Sequence, residues 1–222
     1  MSSVTSSNPV GILDYGMGNL GSVANALARL GAASRLVSEP SELSRCSALI
    51  LPGVGAFGDC MRNLAAHDFI GPVRDWILSD RPLLGICLGL QILALSSDES
   101  PGVSGLGLLP VPCRRFPPAP PLKIPLIGWA PLAFPTPESP HPLFNGIPAS
   151  THFYFVHSYH LPSPADDPAI APYAIALARH TTAYTAAVAF RRAAAVQFHP
   201  EKSQAAGLRL LQNFLSWSTA QQ

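Results

Sequence analysis

One cysteine of this chain stands in a sequence that is typical of a catalytic nucleophile. The residues Gly-Ile-Cys-Leu-Gly at positions 85–89 follow an apolar run and precede residues of helical spacing. Small residues on both sides of a nucleophile let the chain turn sharply from strand to helix and expose the side chain. The first turn of a helix also favours a negative charge, which suits a thiolate. The motif alone fits a reactive Cys87 and an inert, buried cysteine equally well.

A histidine and a glutamate near the C-terminal end form the second group. The sequence is Gln-Phe-His-Pro-Glu-Lys-Ser at residues 197–203. Pro200 biases His199 away from helix, and in an extended chain residues two apart project to the same side. The Glu201 carboxylate can then accept a hydrogen bond from the His199 ring and favour its protonated form. Alone, the sequence favours a surface histidine beside a solvated glutamate, but with Cys87 it favours a Cys–His pair that folding brings together.

A glycine-rich turn follows the second apolar run. Its sequence, Pro-Gly-Val-Gly-Ala-Phe-Gly at residues 52–58, allows backbone conformations that aim N–H groups into a cleft, as an oxyanion requires. Phosphate binding is the alternative for such a turn, but the Walker pattern is absent. Gly53, Gly55 and Gly58 do form G-x-G-x-x-G, yet no acidic residue closes the next strand, so the match to a dinucleotide site is weak.

Apolar periodicity predicts the elements that must position these groups. Short apolar runs predict strands, at residues 10–13, 48–51 and 82–86. Helical spacing predicts helices, at 20–30, at 88–95 and at 58–78 with a break at Gly71-Pro72. This alternation indicates an α/β fold with a central, mostly parallel sheet and helices on both faces. The second half adds β-like runs and an amphipathic helix, at 153–156, 182–190, 193–198 and 208–215.

Prolines separate the two halves of the chain. Twelve of the 24 prolines lie in residues 110–142, which excludes central sheet strands and long helices from most of that segment. We expect residues 1–8 to form a flexible lead and residues 9–218 to form one domain.

Composition narrows the function classes. The formal net charge of +1 lacks the basic excess that a nucleic-acid surface needs. Charged residues make up 12% and hydrophobic residues 48% of the chain, so we expect a large core, a surface covered by a partner, or both. The four cysteines form no C-x-x-C pair, and residues 1–9 lack the features of a secretory signal. We expect free thiols in the cytoplasm, no membrane span, and no metal or cofactor.

The nucleophile and histidine motifs together resemble the class I, or triad, glutamine amidotransferases. This resemblance rests on G-x-C-x-G-x-Q at residues 85–91 and on His-Pro-Glu at 199–201. Further stretches are similar to the glutaminase subunits of imidazole glycerol phosphate synthase, an enzyme of histidine biosynthesis, at residues 14–20, 51–58, 154–159, 197–203 and 207–211. The similarity runs from about Val10 to Leu215. It implies a flavodoxin-like amidotransferase fold with an additional antiparallel β region in the second half.

The resemblance implies a role for each matching residue. Cys87 is expected to be the nucleophile that attacks the side-chain amide of glutamine, His199 the acid and base, and Glu201 its orienting partner. Three further groups are expected by role: oxyanion donors at Val54, Gly55 and Leu88; substrate-binding residues at Gly53, Gln91, Ser158 and Tyr159; and partner-interface residues at Asn19, Tyr154 and Lys202. Without the family match, the two tyrosines are better interpreted as aromatic residues of a sheet.

The implied function is hydrolysis of glutamine to glutamate and ammonia, and the implied partner is a (β/α)8-barrel cyclase subunit in a heterodimer. The cyclase would use the ammonia to make imidazole glycerol phosphate and an aminoimidazole carboxamide ribotide. Gly21, Leu126 and Ala130 depart from the family's usual residues, which concerns partner contacts more than glutamine hydrolysis. The alternatives are the glutaminase subunit of another ammonia-channelling synthase, a thiol hydrolase of another class, and a binding subunit without activity.

Overall fold

The computed structural model of the chain describes residues 8–136, 138 and 140–220, so the predicted flexible lead lies, except for Asn8, outside the described residues. The strands are, in chain order, β1 (Val10–Leu13), β2 (Ser34–Val37), β3 (Ala48–Gly53), β4 (Leu83–Cys87), β5 (Arg114–Arg115), β6 (Leu126–Pro131), β7 (His152–His157), β8 (Tyr159–Pro162), β9 (Ala174–Arg179), β10 (Ala183–Phe190) and β11 (Ala193–Val196). The α-helices are α1 (Leu20–Arg29), α2 (Phe57–Ala66), α3 (Ile70–Leu78), α4 (Leu88–Gln91) and α5 (Gln204–Thr219). In this part of the chain, no helix is long and apolar enough to cross a membrane.

A mixed sheet forms the centre of the fold. Its strands lie in the order β2-β1-β3-β4-β11-β10-β8-β5, and β9 pairs with β10 beside this row. The pairs from β2 to β11 are parallel, whereas β10 pairs antiparallel with β11, β8 and β9. A separate antiparallel sheet consists of β6 and β7. The predicted α/β class with an antiparallel region in the second half is confirmed.

Alternate residues of the parallel strands face two separate apolar clusters. In β3, Ile50 belongs to one cluster and Leu49 to the other. Helices α1 and α5 contribute Val23 and Phe214 to the first cluster, and α3 contributes Trp76 to the second. Parallel sheets are usually packed against helices on both faces, because the side chains on both faces are apolar. The helices therefore cover both faces of the sheet but not the ends of its strands. The carboxyl ends of β3, β4 and β11 lie side by side at one of these ends.

Two predicted helices end at different residues from those expected. Helix α4 stops at Gln91, and not at residue 95, because the carbonyl groups of residues 92–95 accept hydrogen bonds from the N–H groups of residues 105–108. The break within residues 58–78 lies at 67–69, between α2 and α3, and not at Gly71-Pro72. Pro72 lies in the first turn of α3, where the helix does not use the missing N–H.

Four strands of at least four residues are not predicted by the sequence pattern, namely β2, β6, β8 and β9. β2 is half-exposed and becomes a strand by parallel pairing with β1, and β9 is rich in alanine and pairs with β10. β6 lies in the proline-rich segment but pairs with β7 in the small sheet, and it ends at Pro131. The expectation that prolines keep this segment out of the centre of the large sheet is confirmed.

Candidate active site

Cys87 lies at a sharp turn between β4 and α4. Its backbone has a φ of 55° and a ψ of −106°, a region that costs a residue other than glycine about 1–3 kcal/mol. The flanking glycines are required by close packing: a Cβ at Gly85 would lie 2.7 Å from the Gly89 carbonyl oxygen, and a Cβ at Gly89 would lie 2.0 Å from the Leu51 carbonyl oxygen. The strand–turn–helix context that the motif requires is therefore present.

The turn borders a cavity of about 290 Å³. This volume is close to the lower end of small-molecule pockets, about 300–1,000 Å³, and suits a ligand the size of an amino acid. Most of the predicted site residues line it, namely Val54, Gly55, Cys87, Leu88, Gln91, Ser158, Tyr159 and His199. Gly53 packs beside it, since a Cβ there would lie 2.8 Å from Leu88 Cβ.

His199 and Glu201 form a buried pair next to the cavity. The His199 Nδ1 atom lies 2.8 Å from Glu201 Oε1, and the two side chains are 2% and 1% exposed. The Nε2 atom of His199 has no hydrogen-bond partner among the described residues. Burial lowers the pKa of His199, but the neighbouring Cys87 and Glu201 raise it by more, to about 9. His199 is therefore protonated at neutral pH.

The predicted oxyanion residues come from two segments that border the same cavity as Cys87. Leu88 is the first residue of α4, and the first N–H groups of a helix have no partner within it. Gly53 lies opposite Cys87 in the register of β3 and β4, so the glycine-rich turn begins beside the nucleophile. Gly55 has a φ of 97°, and Val54 is 40% exposed at the cavity. The fold thus brings both predicted oxyanion loops to the predicted nucleophile.

Gln197 also contacts Cys87, although no role for Gln197 is predicted from the sequence. Its Nε2 atom lies 3.6 Å from Cys87 Sγ, and its Oε1 accepts from Gln91 Nε2 at 3.1 Å. The signal was present in the sequence, because residues two apart in an extended chain share a side. Gln197 and His199 both face the site, whereas Phe198 between them packs into the core.

Four further residues of the cavity lie outside the predicted site, and two of them, His157 and Glu99, have polar side chains. His157 Nδ1 lies 2.8 Å from the Tyr159 carbonyl oxygen, and burial lowers the pKa of His157 to about 3, so that its ring is neutral and donates through Nδ1. Glu99 accepts a hydrogen bond from the Phe57 N–H at 2.7 Å and so anchors the start of α2. His157 adjoins the predicted Ser158, whereas no pattern in the sequence points to Glu99.

Two of the predicted partner residues, Lys202 and Tyr154, lie close together. Lys202 Nζ lies 5.8 Å from the centre of the Tyr154 ring, and Trp129 packs edge-on to the same ring at 6.0 Å. Asn19 precedes α1, and both α1 and β7 contact the turn Pro200–Lys202. On β6 beside them, Ile127 and Trp129 are 64% and 46% exposed.

Comparison with known proteins identifies similar sequences over most of the chain. The family model for class-I glutamine amidotransferases matches residues 11–217. The imidazole glycerol phosphate synthase subunit HisH of Methylococcus capsulatus is 47% identical over 216 residues, which cover 94% of this chain and 96% of that protein. The subunit of the same name from Moorella thermoacetica is 44% identical over 210 residues, 93% of each chain.

Solved structures with the same fold have little sequence in common with this chain. PurLQS from Thermotoga maritima superposes with a TM-score of 0.71 at 18% identity, covering 95% of this chain and 99% of that chain. The glutaminase domain of Trypanosoma brucei CTPS with bound acivicin gives a TM-score of 0.66 at 13% identity, covering 95% and 93%. These likenesses show the fold alone.

Proposed function

The chain belongs to the class-I glutamine amidotransferase family, and we propose that it is the glutaminase subunit of an imidazole glycerol phosphate synthase in histidine biosynthesis. Relatives that carry this subunit's name are 41–47% identical to it over more than nine tenths of its length. The observation that carries the proposal is the buried His199–Glu201 pair beside Cys87 at one cavity. This arrangement supports amide hydrolysis through a covalent thioester.

Cys87 begins the reaction as the nucleophile. Its thiolate sulfur attacks the side-chain amide carbon of glutamine, a C–S bond forms, and the amide oxygen becomes an oxyanion. The N–H of Leu88 and an N–H of Val54 or Gly55 donate to this oxyanion. The rest of the substrate is held by Gly53, Gln91, Ser158 and Tyr159.

His199 moves protons in both halves of the reaction. With its pKa at about 9, the ring carries a proton at neutral pH and gives it to the departing nitrogen as the C–N bond breaks. Ammonia leaves, and a glutamyl thioester remains on Cys87. The neutral His199 then takes a proton from a water molecule, whose oxygen attacks the thioester and releases glutamate. Glu201 holds the ring through Nδ1, so that Nε2 performs both transfers.

The ammonia passes to a partner, a (β/α)8-barrel cyclase subunit that forms a heterodimer with this chain in the cytoplasm. Ammonia free in water is protonated and then no longer acts as a nucleophile, which favours direct transfer between two sites. The exposed Ile127 and Trp129 support a docking face on β6, with Tyr154 and Lys202 at its border. Asn19 extends this face at the start of α1. The formal net charge of +1 is compatible with a protein partner.

Ammonia release from glutamine tests the proposal. We expect slow release by the chain alone and faster release once the cyclase subunit and its ribotide ligand are added. Cys87→Ala is expected to lower the rate at least about a thousandfold, because the covalent step is lost. Cys46→Ala is the matched control, since it removes a buried thiol that does not line the cavity.

Two outcomes would contradict different parts of the proposal. Undiminished ammonia release by Cys87→Ala would show that the chemistry is wrong. A rate that the cyclase subunit never alters would show that the partner is wrong, while the hydrolysis itself would stand.

A further inference from the structure

A buried amide contacts the nucleophile, and the mechanism above does not use it. Gln197 is fully buried, and its Nε2 atom lies 3.6 Å from Cys87 Sγ. Its Oε1 lies 3.1 Å from Gln91 Nε2, and the same Gln91 nitrogen lies 2.9 Å from the Tyr159 carbonyl oxygen. A continuous chain of contacts therefore leads from the backbone of β8 through two amides to the sulfur.

The donor and the acceptor of each hydrogen bond in this series follow from the first contact, which is made by the Tyr159 carbonyl oxygen. A backbone carbonyl oxygen only accepts, so the Gln91 side chain presents its NH2 group to Tyr159. That group has two N–H bonds, and the second one points to Gln197, which must answer with its oxygen. Gln197 then has only its own NH2 group left for Cys87. Turning either amide over would place two donors, or two acceptors, face to face in a buried site, which costs free energy.

The neutral His157 ring supports this assignment of donors and acceptors. Its Nδ1–H donates to the same Tyr159 carbonyl oxygen at 2.8 Å, so that two donors hold this acceptor in place. Because a carbonyl oxygen has two lone pairs, both bonds are satisfied together. The carbonyl that sets the direction of the chain is thus itself fixed from two sides.

We propose that Gln197 is a further catalytic residue, whose Nε2–H donates a hydrogen bond to the Cys87 thiolate while its Oε1 fixes the amide of Gln91 for substrate binding. The inference deepens the proposed glutaminase function and rests on it. A hydrogen bond to an ionised group is stronger than one between neutral groups, and burial strengthens it further. The contact therefore stabilises the thiolate more than the thiol, which keeps the nucleophile in its reactive form.

Alkylation of Cys87 by iodoacetamide measures this effect without glutamine. The rate is measured against pH on the full chain, with peptide mapping by mass spectrometry to separate Cys87 from the other thiols. In Gln197→Met the donor is lost, and we expect alkylation at pH 7 to be about 10–100-fold slower, with the profile shifted to higher pH. The other titratable groups around Cys87 are unchanged in this variant, namely His157, His199, Glu99, Glu201, Tyr15 and Tyr159.

Gln197→Glu separates the two roles of the side chain. It keeps an oxygen for Gln91 but, when ionised, offers no donor to the sulfur. In glutamine hydrolysis we expect this variant to lower kcat about tenfold or more while KM stays near that of the wild type. Gln197→Met is expected to raise KM as well, because Gln91 loses its acceptor. Gln212→Met on α5, half-buried and outside the cavity lining, is the matched control.

An alkylation profile that coincides with the wild type in either folded variant would overturn the inference. The two substitutions change the packing differently, and thermal unfolding identifies the variants that fold like the wild type. Slower alkylation of the Gln197 variants would support the hydrogen bond even if the wild-type complex did not hydrolyse glutamine. That absence of hydrolysis would reject the proposed function, so the two failures are distinguishable.

Discussion

Exchanging Glu201 for glutamine tests how the site holds its proton. Glu201→Gln keeps an oxygen that accepts from His199 Nδ1 but removes the negative charge. In the wild type, burial lowers the pKa of His199, and Cys87 and Glu201 raise it by more, to about 9. In the unfolded chain His199 returns to its ordinary value of 6.5. The folded state therefore binds this proton more tightly than the unfolded state.

This difference in proton affinity stabilises the folded chain by an amount that depends on pH. A pKa raised by roughly 2.5 corresponds to about 3 kcal/mol, at about 1.4 kcal/mol for each pKa unit. Because the folded state has the higher pKa, the full contribution is present below about pH 6.5 and is lost as the pH rises through about 9. Cys87 and Glu201 both raise the pKa against the lowering by burial, so we expect loss of the Glu201 charge to remove on the order of 1–2 kcal/mol of this contribution.

Denaturant unfolding of both proteins between about pH 6 and pH 9.5 measures this contribution. We expect the wild type to exceed Glu201→Gln in unfolding free energy by about 1–2 kcal/mol at the acid end, and the difference to approach zero at the alkaline end. Titration of the His199 ring by NMR should give a lower pKa in the variant. Glu138→Gln, which removes an exposed carboxylate, is the matched control.

A difference in unfolding free energy that is equal at both ends of the pH range would refute this reasoning. A lost contact that is not linked to proton binding costs the same at every pH. The control variant should differ from the wild type by less than about 0.5 kcal/mol throughout the range.

Three other variants or probes follow from the same structure. Gly89→Ala is expected to lower the free energy of unfolding, measured by thermal unfolding, by at least about 3 kcal/mol, because its Cβ would lie 2.0 Å from the Leu51 carbonyl oxygen. Gly21→Ala in α1 has nothing within 4 Å of the new Cβ and should stabilise the chain by about 0.5–1 kcal/mol. Equal effects of the two substitutions would contradict the packing argument. A glutamine-mimicking electrophile should label Cys87 and leave Cys60 unlabelled by mass spectrometry, since burial raises the pKa of Cys60 to about 12. Ile127→Asp should weaken binding of the cyclase subunit at least about tenfold in titration calorimetry without changing ammonia release by the chain alone, because it charges an exposed apolar face; unchanged affinity would place the interface elsewhere.

Much of the fold could be predicted from the sequence because the apolar runs of the buried strands are recognisable over a few consecutive residues. The apolar runs that predict β1, β3 and β4 are buried on both faces, and such strands need no knowledge of their neighbours to be identified. β2 and β9 carry no such run, and they are strands because β1 and β10 offer them unpaired backbone groups. The end of α4 at Gln91 depends in the same way on residues 105–108, which the helix pattern does not include.

The candidate site likewise contains residues that local sequence features predict and residues that only tertiary contacts bring in. The positions of Cys87 and His199 were predictable, because a sharp turn needs glycine at 85 and 89, and a proline after His199 keeps that segment extended. Glu99 was missed because it reaches the site from a loop without a motif of its own, and its contact with the Phe57 N–H joins distant parts of the chain.

The sequence by itself determined which chemical groups the candidate site holds: a cysteine on a glycine-flanked turn, a histidine with its carboxylate, and a glycine-rich turn. Each depends on backbone conformation over a few residues, which residue type controls directly. Only the tertiary structure decided that Cys87 and Glu201 outweigh the effect of burial on the pKa of His199, and only it decided the direction of the hydrogen bonds from Tyr159 to Cys87. Both depend on burial and on distances of a few ångströms between residues far apart in the chain, and electrostatic and hydrogen-bond energies change steeply over such distances.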